Sequence, residues 1–207
     1  MKKDIQNIAV IGSGIMGAGI AQVAAEKGFQ VFLHDVNEEA LQKALKGIQR
    51  NLDKAVEKKT LTTNQVQVIL SRLFKTTDLK RAVHEADLVI EAVVEDTDIK
   101  KGLFSKLDSL TRPETILATN TSQIPITQIG SAVSNPSRVV GMHWFNPPTK
   151  MKLIEVIQGL ETSKETLERT CEVCRKLEKE PIVVKDRQGF LVNRALGVFL
   201  AECFRML

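Results

Sequence analysis

Ile8-Ala9-Val10-Ile11-Gly12-Ser13-Gly14-Ile15-Met16-Gly17 decides the fold, together with the helical pattern after it and Val31-Phe32-Leu33-His34-Asp35 beyond. In physical terms this is a buried strand, a glycine turn, a helix, a second strand and an acid. A bound pyrophosphate needs each piece. Gly12 permits a tight turn, Gly14 has no side chain to block the phosphates, and Gly17 lets helix and strand pack closely. The helix N-terminus offers free N–H groups to the anion. Asp35 stands close to the ~20-residue spacing at which an acid accepts ribose hydroxyls. Gly12, Ser13, Gly14, Ile15, Met16, Gly17 and Asp35 are therefore expected to bind a dinucleotide. Glycines serving only a strand–helix turn would leave Asp35 unexplained. The acid also selects NAD over NADP. It would repel a 2′-phosphate, and Val36 and Asn37, not an arginine, follow it.

Outward from this stretch, strand-like and helix-like patterns alternate, which predicts an α/β chain of the Rossmann type: a doubly wound, mostly parallel sheet with helices on both faces. Helical spacing of Leu41, Ala44, Leu45, Ile48 and Leu52 predicts a long helix over 38–57, and a second over 62–70 with Thr62 or Thr63 as cap makes a helical hairpin insertion. Strands are expected at 88–90, 115–118, 138–142, 153–157 and 181–184, with helices over 98–109 and 163–179. From Gly189 the character changes. Residues 190–201 are apolar nearly all round, and such a helix needs cover on several sides. The pattern reaches Leu207 with no cap signal and no following loop. The expectation is a chain that stops inside a helix: residues 1–185 form the cofactor domain, and 186–207 begin a second, helical domain that is mostly missing. The alternative is a terminal helix docked on the main domain.

The 207 residues suffice for one large domain and part of another. A net charge of +4, with 29 basic and 25 acidic residues interspersed, one Trp and no Tyr, gives no sign of a nucleic-acid partner. No signal peptide or membrane span is recognisable. Three cysteines, an odd number, suit a reducing cytosol, so a cytoplasmic protein is expected. Cys171 and Cys174 have redox-motif spacing. They fall in a charged helical stretch with no second pair for zinc, so they read as helix residues without a metal or redox role.

A second constellation is Gly141-Met142-His143-Trp144-Phe145-Asn146-Pro147-Pro148. His143 directly follows the strand expected at 138–142, and Glu155 lies inside the next. Antiparallel pairing would set the two side by side. A carboxylate on one imidazole nitrogen fixes the tautomer and raises the basicity of the other, as a general base requires. The plainer reading is a histidine hydrogen-bonded at a strand end. His34 reads as a strand-end residue and His84 as surface. Ser122, in Asn120-Thr121-Ser122, follows the strand at 115–118, where ligands of such sheets bind. An ST-turn or a helix cap explains it equally well.

At this point five motifs resemble the L-3-hydroxyacyl-CoA dehydrogenase family, its bacterial 3-hydroxybutyryl-CoA members above all. They are Gly-Ser-Gly-Ile-Met-Gly at 12–17, Glu-Ala-Val-Val-Glu at 91–95, Asn-Thr-Ser at 120–122, His-Trp-Phe-Asn-Pro at 143–147 and Gly-Phe-Leu-Val-Asn-Arg at 189–194. The resemblance covers essentially the whole chain. It implies His143 and Glu155 as the catalytic pair, with Ser122 and Asn193 contacting substrate. It implies NAD contacts at Glu95, Lys100, Ser122 and Asn146, and CoA contacts at Lys58, with Lys54 beside it, and at Ser122. Asn51 stands where the family often has a serine, and Gln123 where it often has a second serine. Family members carry roughly a hundred further residues, which form a helical domain and build a homodimer.

The reaction this implies is reversible oxidation of the 3-hydroxyl of an acyl-CoA to a ketone. His143 takes the proton while C3 gives a hydride to the nicotinamide. Two alternatives stand beside it. A β-hydroxyacid dehydrogenase of the 6-phosphogluconate type shares the glycine fingerprint but uses a lysine base. A non-catalytic NAD-binding module would keep only the cofactor.

Overall fold

The computed structural model describes residues 4–206. One eight-stranded sheet runs through it: β1 (Asn7–Ile11), β2 (Gln30–His34), β3 (Leu73–Thr76), β4 (Leu88–Glu91), β5 (Ile116–Thr119), β6 (Val139–Trp144), β7 (Leu153–Gln158) and β8 (Glu180–Lys185). Their order is β3-β2-β1-β4-β5-β6-β7-β8. The first six are parallel, β7 runs antiparallel to β6, and β8 is parallel to β7. This is the doubly wound, mostly parallel α/β sheet that the alternation of patterns predicts.

The helices are α1 (Ile15–Glu26), α2 (Glu38–Glu57), α3 (Thr63–Leu70), α4 (Leu79–Val83), α5 (Thr97–Leu110), α6 (Ile126–Gly130), α7 (Lys164–Lys176) and α8 (Val192–Arg205). Side chains alternate between the two faces of β1 with the period of a strand. Ile8 and Val10 join one core with α1, α2, α3 and α7, while Ala9 and Ile11 join the other with α4, α5 and α6. Strands β4 and β5 are buried throughout, as central strands covered on both faces must be. Local chemistry sets the helix starts. Asn37 accepts from the N–H groups of Glu39 and Ala40, and Thr62 and Gln65 form a reciprocal capping box.

Two expectations need correction, and two elements are not assigned from the sequence. Strand β3 and helix α4 carry no apolar run that would announce them; β3 is a half-exposed edge strand. Strand β6 extends to Trp144, so His143 lies within it and not after it, while Arg138 belongs to a 3₁₀ turn at Pro136–Arg138. The helix expected over 163–179 ends at Lys176, where Glu178 takes a left-handed conformation (φ 55°). Helix α8 buries none of its described residues, although Phe190 just before it packs into the second core.

Candidate active site

The glycine turn is shaped by backbone. Gly12 has φ 102°, and its N–H donates to the His34 carbonyl at 2.8 Å. A Cβ there would meet the Ala92 carbonyl oxygen at 2.5 Å, and one at Gly17 would stand 1.8 Å from the Gly12 oxygen. At Gly14, the N-cap of α1, an added Cβ meets nothing within 4 Å. That open space, at a helix N-terminus with no side-chain cap, suits an anion. Asp35 faces the turn. Its Oδ2 accepts from the N–H and the hydroxyl of Ser13, both at 2.8 Å, and its Oδ1 from the Asn37 N–H at 3.1 Å. Burial pushes the Asp35 carboxyl up, but the Ser13 and Asn37 donors outweigh it and hold the group below its ordinary value.

The antiparallel joint between β6 and β7 pairs His143 with Glu155 in register. The carboxylate is fully buried, and its Oε2 lies 2.7 Å from His143 Nδ1. Such a bond places the imidazole proton on Nδ1 and leaves Nε2 as the acceptor. Nε2 has no hydrogen bond to any described residue and is not sealed from solvent. The rings of Phe145 and Phe190 flank the imidazole at 4.5 and 5.7 Å. The other carboxylate oxygen, Oε1, accepts from the N–H groups of Leu191 and Val192 at 2.9 Å each. One buried acid thus orients the histidine and anchors the first turn of α8. Burial raises the Glu155 carboxyl, but His143 and the two N–H donors lower it further than burial raises it.

From α8 the hydrogen bonds continue. Asn193 donates to the Ser122 carbonyl at 3.1 Å. Glu95 Oε1 accepts from the Thr121 hydroxyl at 2.5 Å, from the Ser122 N–H at 2.7 Å and from its hydroxyl at 3.2 Å. Burial raises the Glu95 carboxyl, and these donors with the Lys100 ammonium more than reverse it. Lys100 is only 1% exposed, and its ammonium lies 2.6 Å from Glu91 and 3.3 Å from Glu95. Glu91, also buried, takes further bonds from the Val93 N–H and the Thr119 hydroxyl, both at 2.7 Å. His143, Glu155, Asn193, Ser122, Glu95 and Lys100 therefore form one belt across the carboxyl ends of β4, β5 and β6.

Sequence reasoning missed Glu91, the anchor of that belt, and Asn120, whose Oδ1 accepts from the Trp144 N–H at 2.8 Å and ties β5 to the His143 strand. A carboxylate closing the apolar run Leu88-Val89-Ile90 was the available signal, because a buried charge demands a partner.

Beside the glycine turn lies a cleft of about 540 Å³, bounded by Gly14, Asp35, Gln22, Arg50, Pro147 and Pro148 among others. Asn51 lines it and donates to Gln22 at 3.1 Å. Lys54 and Lys58, at the far end of α2, do not line it; Arg50 and Lys43 do. Asn146 is exposed at the mouth of the loop after β6. Cys171 and Cys174 are buried free thiols, and burial pushes both above the ordinary thiol value. No group of metal-ligating side chains and no helix long and apolar enough to cross a membrane occurs among the described residues.

Residues 7–187 match the family described as 3-hydroxyacyl-CoA dehydrogenase, NAD binding domain. Over 207 residues the chain is 45% identical to the 3-hydroxyadipyl-CoA dehydrogenase of Escherichia coli, with all of this chain and 43% of that protein covered. It is 44% identical to the mitochondrial hydroxyacyl-coenzyme A dehydrogenase of Rattus norvegicus, covering 98% of this chain and 66% of that one. A crystal structure of 3-hydroxybutyryl-CoA dehydrogenase from E. coli superposes with a TM-score of 0.95 at 45% identity, over 98% of this chain and 43% of that one. The chain thus spans between two fifths and two thirds of the length of these relatives.

Proposed function

The chain belongs to the family of 3-hydroxyacyl-CoA dehydrogenase NAD-binding domains, and we propose that its protein oxidises L-3-hydroxyacyl-CoA reversibly to 3-ketoacyl-CoA. The observation that carries this reading is the buried 2.7 Å pair of His143 Nδ1 and Glu155 Oε2, set at the carboxyl end of the sheet that also bears the glycine turn. The residues present fit the cofactor. Gly14 leaves the helix N-terminus open, and Asp35 stands where a ribose would lie. NAD, when bound, supplies the acceptor for the hydride leaving C3. In this reading Gly12 to Gly17 and Asp35 hold it, with Glu95, Lys100 and Asn146 beside them. Lys100 would act through Glu95, since its ammonium is buried beneath that carboxylate.

His143 Nε2 takes the hydroxyl proton as the C3–H bond breaks. Glu155 stabilises the imidazolium that results, a charge absent from the ground state, so the pair favours the transition state. Ser122 and Asn193 position the reacting oxygen or the thioester carbonyl, and such alignment is worth several kcal/mol. Asn51, Lys54 and Lys58 are proposed for the CoA end. Family membership and the His143–Glu155 pair favour this reading over a hydroxyacid dehydrogenase with a lysine base.

We divide the chain at residue 185, with 186–207 opening a helical unit that supplies the substrate side and a homodimer contact. Support comes from the exposed Val198, Phe199 and Phe204 of α8. A cytoplasmic protein without nucleic-acid or membrane partners fits the balanced charge. The test is NADH oxidation by acetoacetyl-CoA, with NADH binding measured separately. Binding with turnover that His143→Gln abolishes supports the reading. Turnover unchanged in His143→Gln would sink it. Binding without turnover would favour a cofactor-binding module, a reading that the wholly unburied α8 makes specific to this chain.

A further inference from the structure

The loop leaving the His143 strand, residues 145–152, contains two consecutive prolines, Pro147 and Pro148, which have no N–H to give to any partner. It folds on itself through the N–H groups of Lys150 and Met151, both bonded to the Pro147 carbonyl at 3.0 Å. Pro148 packs on α1, so closely that a Cβ added at Gly19 would stand 3.0 Å from its ring. Pro147, Pro148 and Thr149 form one wall of the cleft that opens beside Gly14 and Asp35.

Two carbonyls of this loop, those of Pro148 and Met151, converge on one ammonium. Lys179 Nζ donates to them at 2.6 and 2.7 Å. Lys179 sits between α7 and β8, is only 8% exposed, and places its ammonium 5.6 Å from the centroid of the Trp144 ring. It makes no ion pair with a carboxylate among the described residues. A buried ammonium is unfavourable unless its donors are used, and here both hydrogen bonds go to a single loop while the third side rests on an indole. Trp144 is the neighbour of His143 in β6, and its backbone N–H donates to Asn120 Oδ1. The ammonium therefore ties three things together: the loop, the strand that presents the histidine, and the start of β8. Burial pushes the Lys179 ammonium below its ordinary value, partly offset by Glu26 on α1.

We propose that Lys179 is a positioning residue for the cofactor side of the site: by clamping the Pro148 and Met151 carbonyls against Trp144, it fixes the loop that carries Asn146 and walls the cleft beside the glycine turn. The proposal rests on the reading of the crevice as an NAD site. A residue that merely stabilised the fold would act on the whole sheet; a clamp acts on the loop and on what the loop touches.

The experiment compares Lys179→Met and Lys179→Arg with the wild-type chain by two readouts, amide hydrogen exchange and NADH titration by fluorescence. In Lys179→Met the Lys150 and Met151 amides should exchange about 10-fold faster or more, and NADH should bind about 10-fold more weakly, the scale of one lost charge-assisted hydrogen bond. Amides of β1 and β4 should keep their wild-type protection. Lys179→Arg, which retains donors for both carbonyls, should recover most of both effects. Wild-type loop exchange and wild-type affinity in Lys179→Met would overturn the proposal, and so would a uniform loss of protection across the sheet. If Lys179→Met does not fold, Lys179→Gln, with one shorter donor, should show the same loop-confined loss, and uniform loss there also overturns it. If the wild-type chain fails to bind NADH, the cofactor reading falls, and loop exchange alone judges the clamp.

Discussion

Between Gly12 and Gly17 the crevice is shaped by main chain, with glycine Cα positions pressed against carbonyl oxygens. From Glu91 across to Glu155 it is shaped by buried side chains, each held by donors from another element. The first half tolerates no added methyl group at two of its glycines. The second tolerates no missing charge. A ligand's phosphates can be met by N–H groups that any sequence supplies, so that half needs only space. A proton must be taken at one atom, so the other half needs a particular nitrogen, with a particular tautomer, kept in place. The difference predicts that substitutions in the two halves will fail differently.

The largest expected effect lies in the side-chain half. Lys100→Met removes the cation shared by Glu91 and Glu95 and leaves a fully buried carboxylate without its counter-charge. Breaking a buried pair from one side costs about 3–5 kcal/mol. Urea or thermal unfolding should show a loss of that order; a loss under ~1 kcal/mol would mean that the belt holds nothing together.

Next in size is catalysis. His143→Gln and Glu155→Gln should each lower turnover of acetoacetyl-CoA with NADH by ~100-fold or more while leaving NADH affinity nearly unchanged. Glu155→Gln should also loosen α8, because Oε1 receives the Leu191 and Val192 N–H groups. Faster exchange at those two amides in Glu155→Gln, but not in His143→Gln, would separate the two duties of one carboxylate.

In the backbone half, two glycines three positions apart should behave as opposites. Gly17→Ala forces a methyl to within 1.8 Å of the Gly12 oxygen, so it should destabilise the fold, by about 1–3 kcal/mol on the scale of overpacked cores. Gly14→Ala meets nothing within 4 Å, so its melting temperature should match wild type. It should nonetheless weaken NADH binding by about 10-fold or more, through one charge-assisted contact to the phosphates. A Gly14→Ala protein that binds normally would show that the phosphates do not pass over this turn.

The same division explains what could be read from the chain. The glycine turn is local: strand, turn, helix and acid follow one another, and hydrophobic period alone places them. The pairing of His143 with Glu155 is readable one step further, because a short connection between two strands leaves few registers. Even so, β6 runs on through His143, since Trp144 remains paired with Ile154. Glu91 is announced only as an acid closing the apolar run Leu88-Val89-Ile90; its partner Lys100 stays hidden, because their contact joins a strand end to the first turns of α5 and no spacing marks it. Lys179 is hidden more deeply: its partners are two carbonyls of a distant loop, and carbonyls have no letter in the sequence. Edge strand β3 escapes for another reason, being half exposed and without an apolar run.

The smallest effect distinguishes the halves by acid. Asp35 belongs to the glycine turn, while Glu95 and Glu155 belong to the belt. All three carboxyls lie below their ordinary values of 3.8, 4.5 and 4.5, because donors outweigh burial. A carboxyl lowered in the folded state binds its proton less readily there than in the unfolded chain. Its stabilisation is therefore present above the ordinary value and is lost as pH falls through the lowered one. The melting temperature should begin to fall below about pH 6.5, because burial holds the His34 imidazole below its ordinary value, and should fall more steeply below about pH 4.5 as the carboxyls take up protons. Removing one contributor tests its share. Glu155→Gln should flatten the acid decline and abolish the acid-induced NMR shift of the Leu191 and Val192 amide signals, whereas Asp35→Asn should leave those two signals titrating as in wild type. If Asp35→Asn also abolished their acid response, the turn and the belt would be one cooperative unit, and the contrast between them would be of construction only.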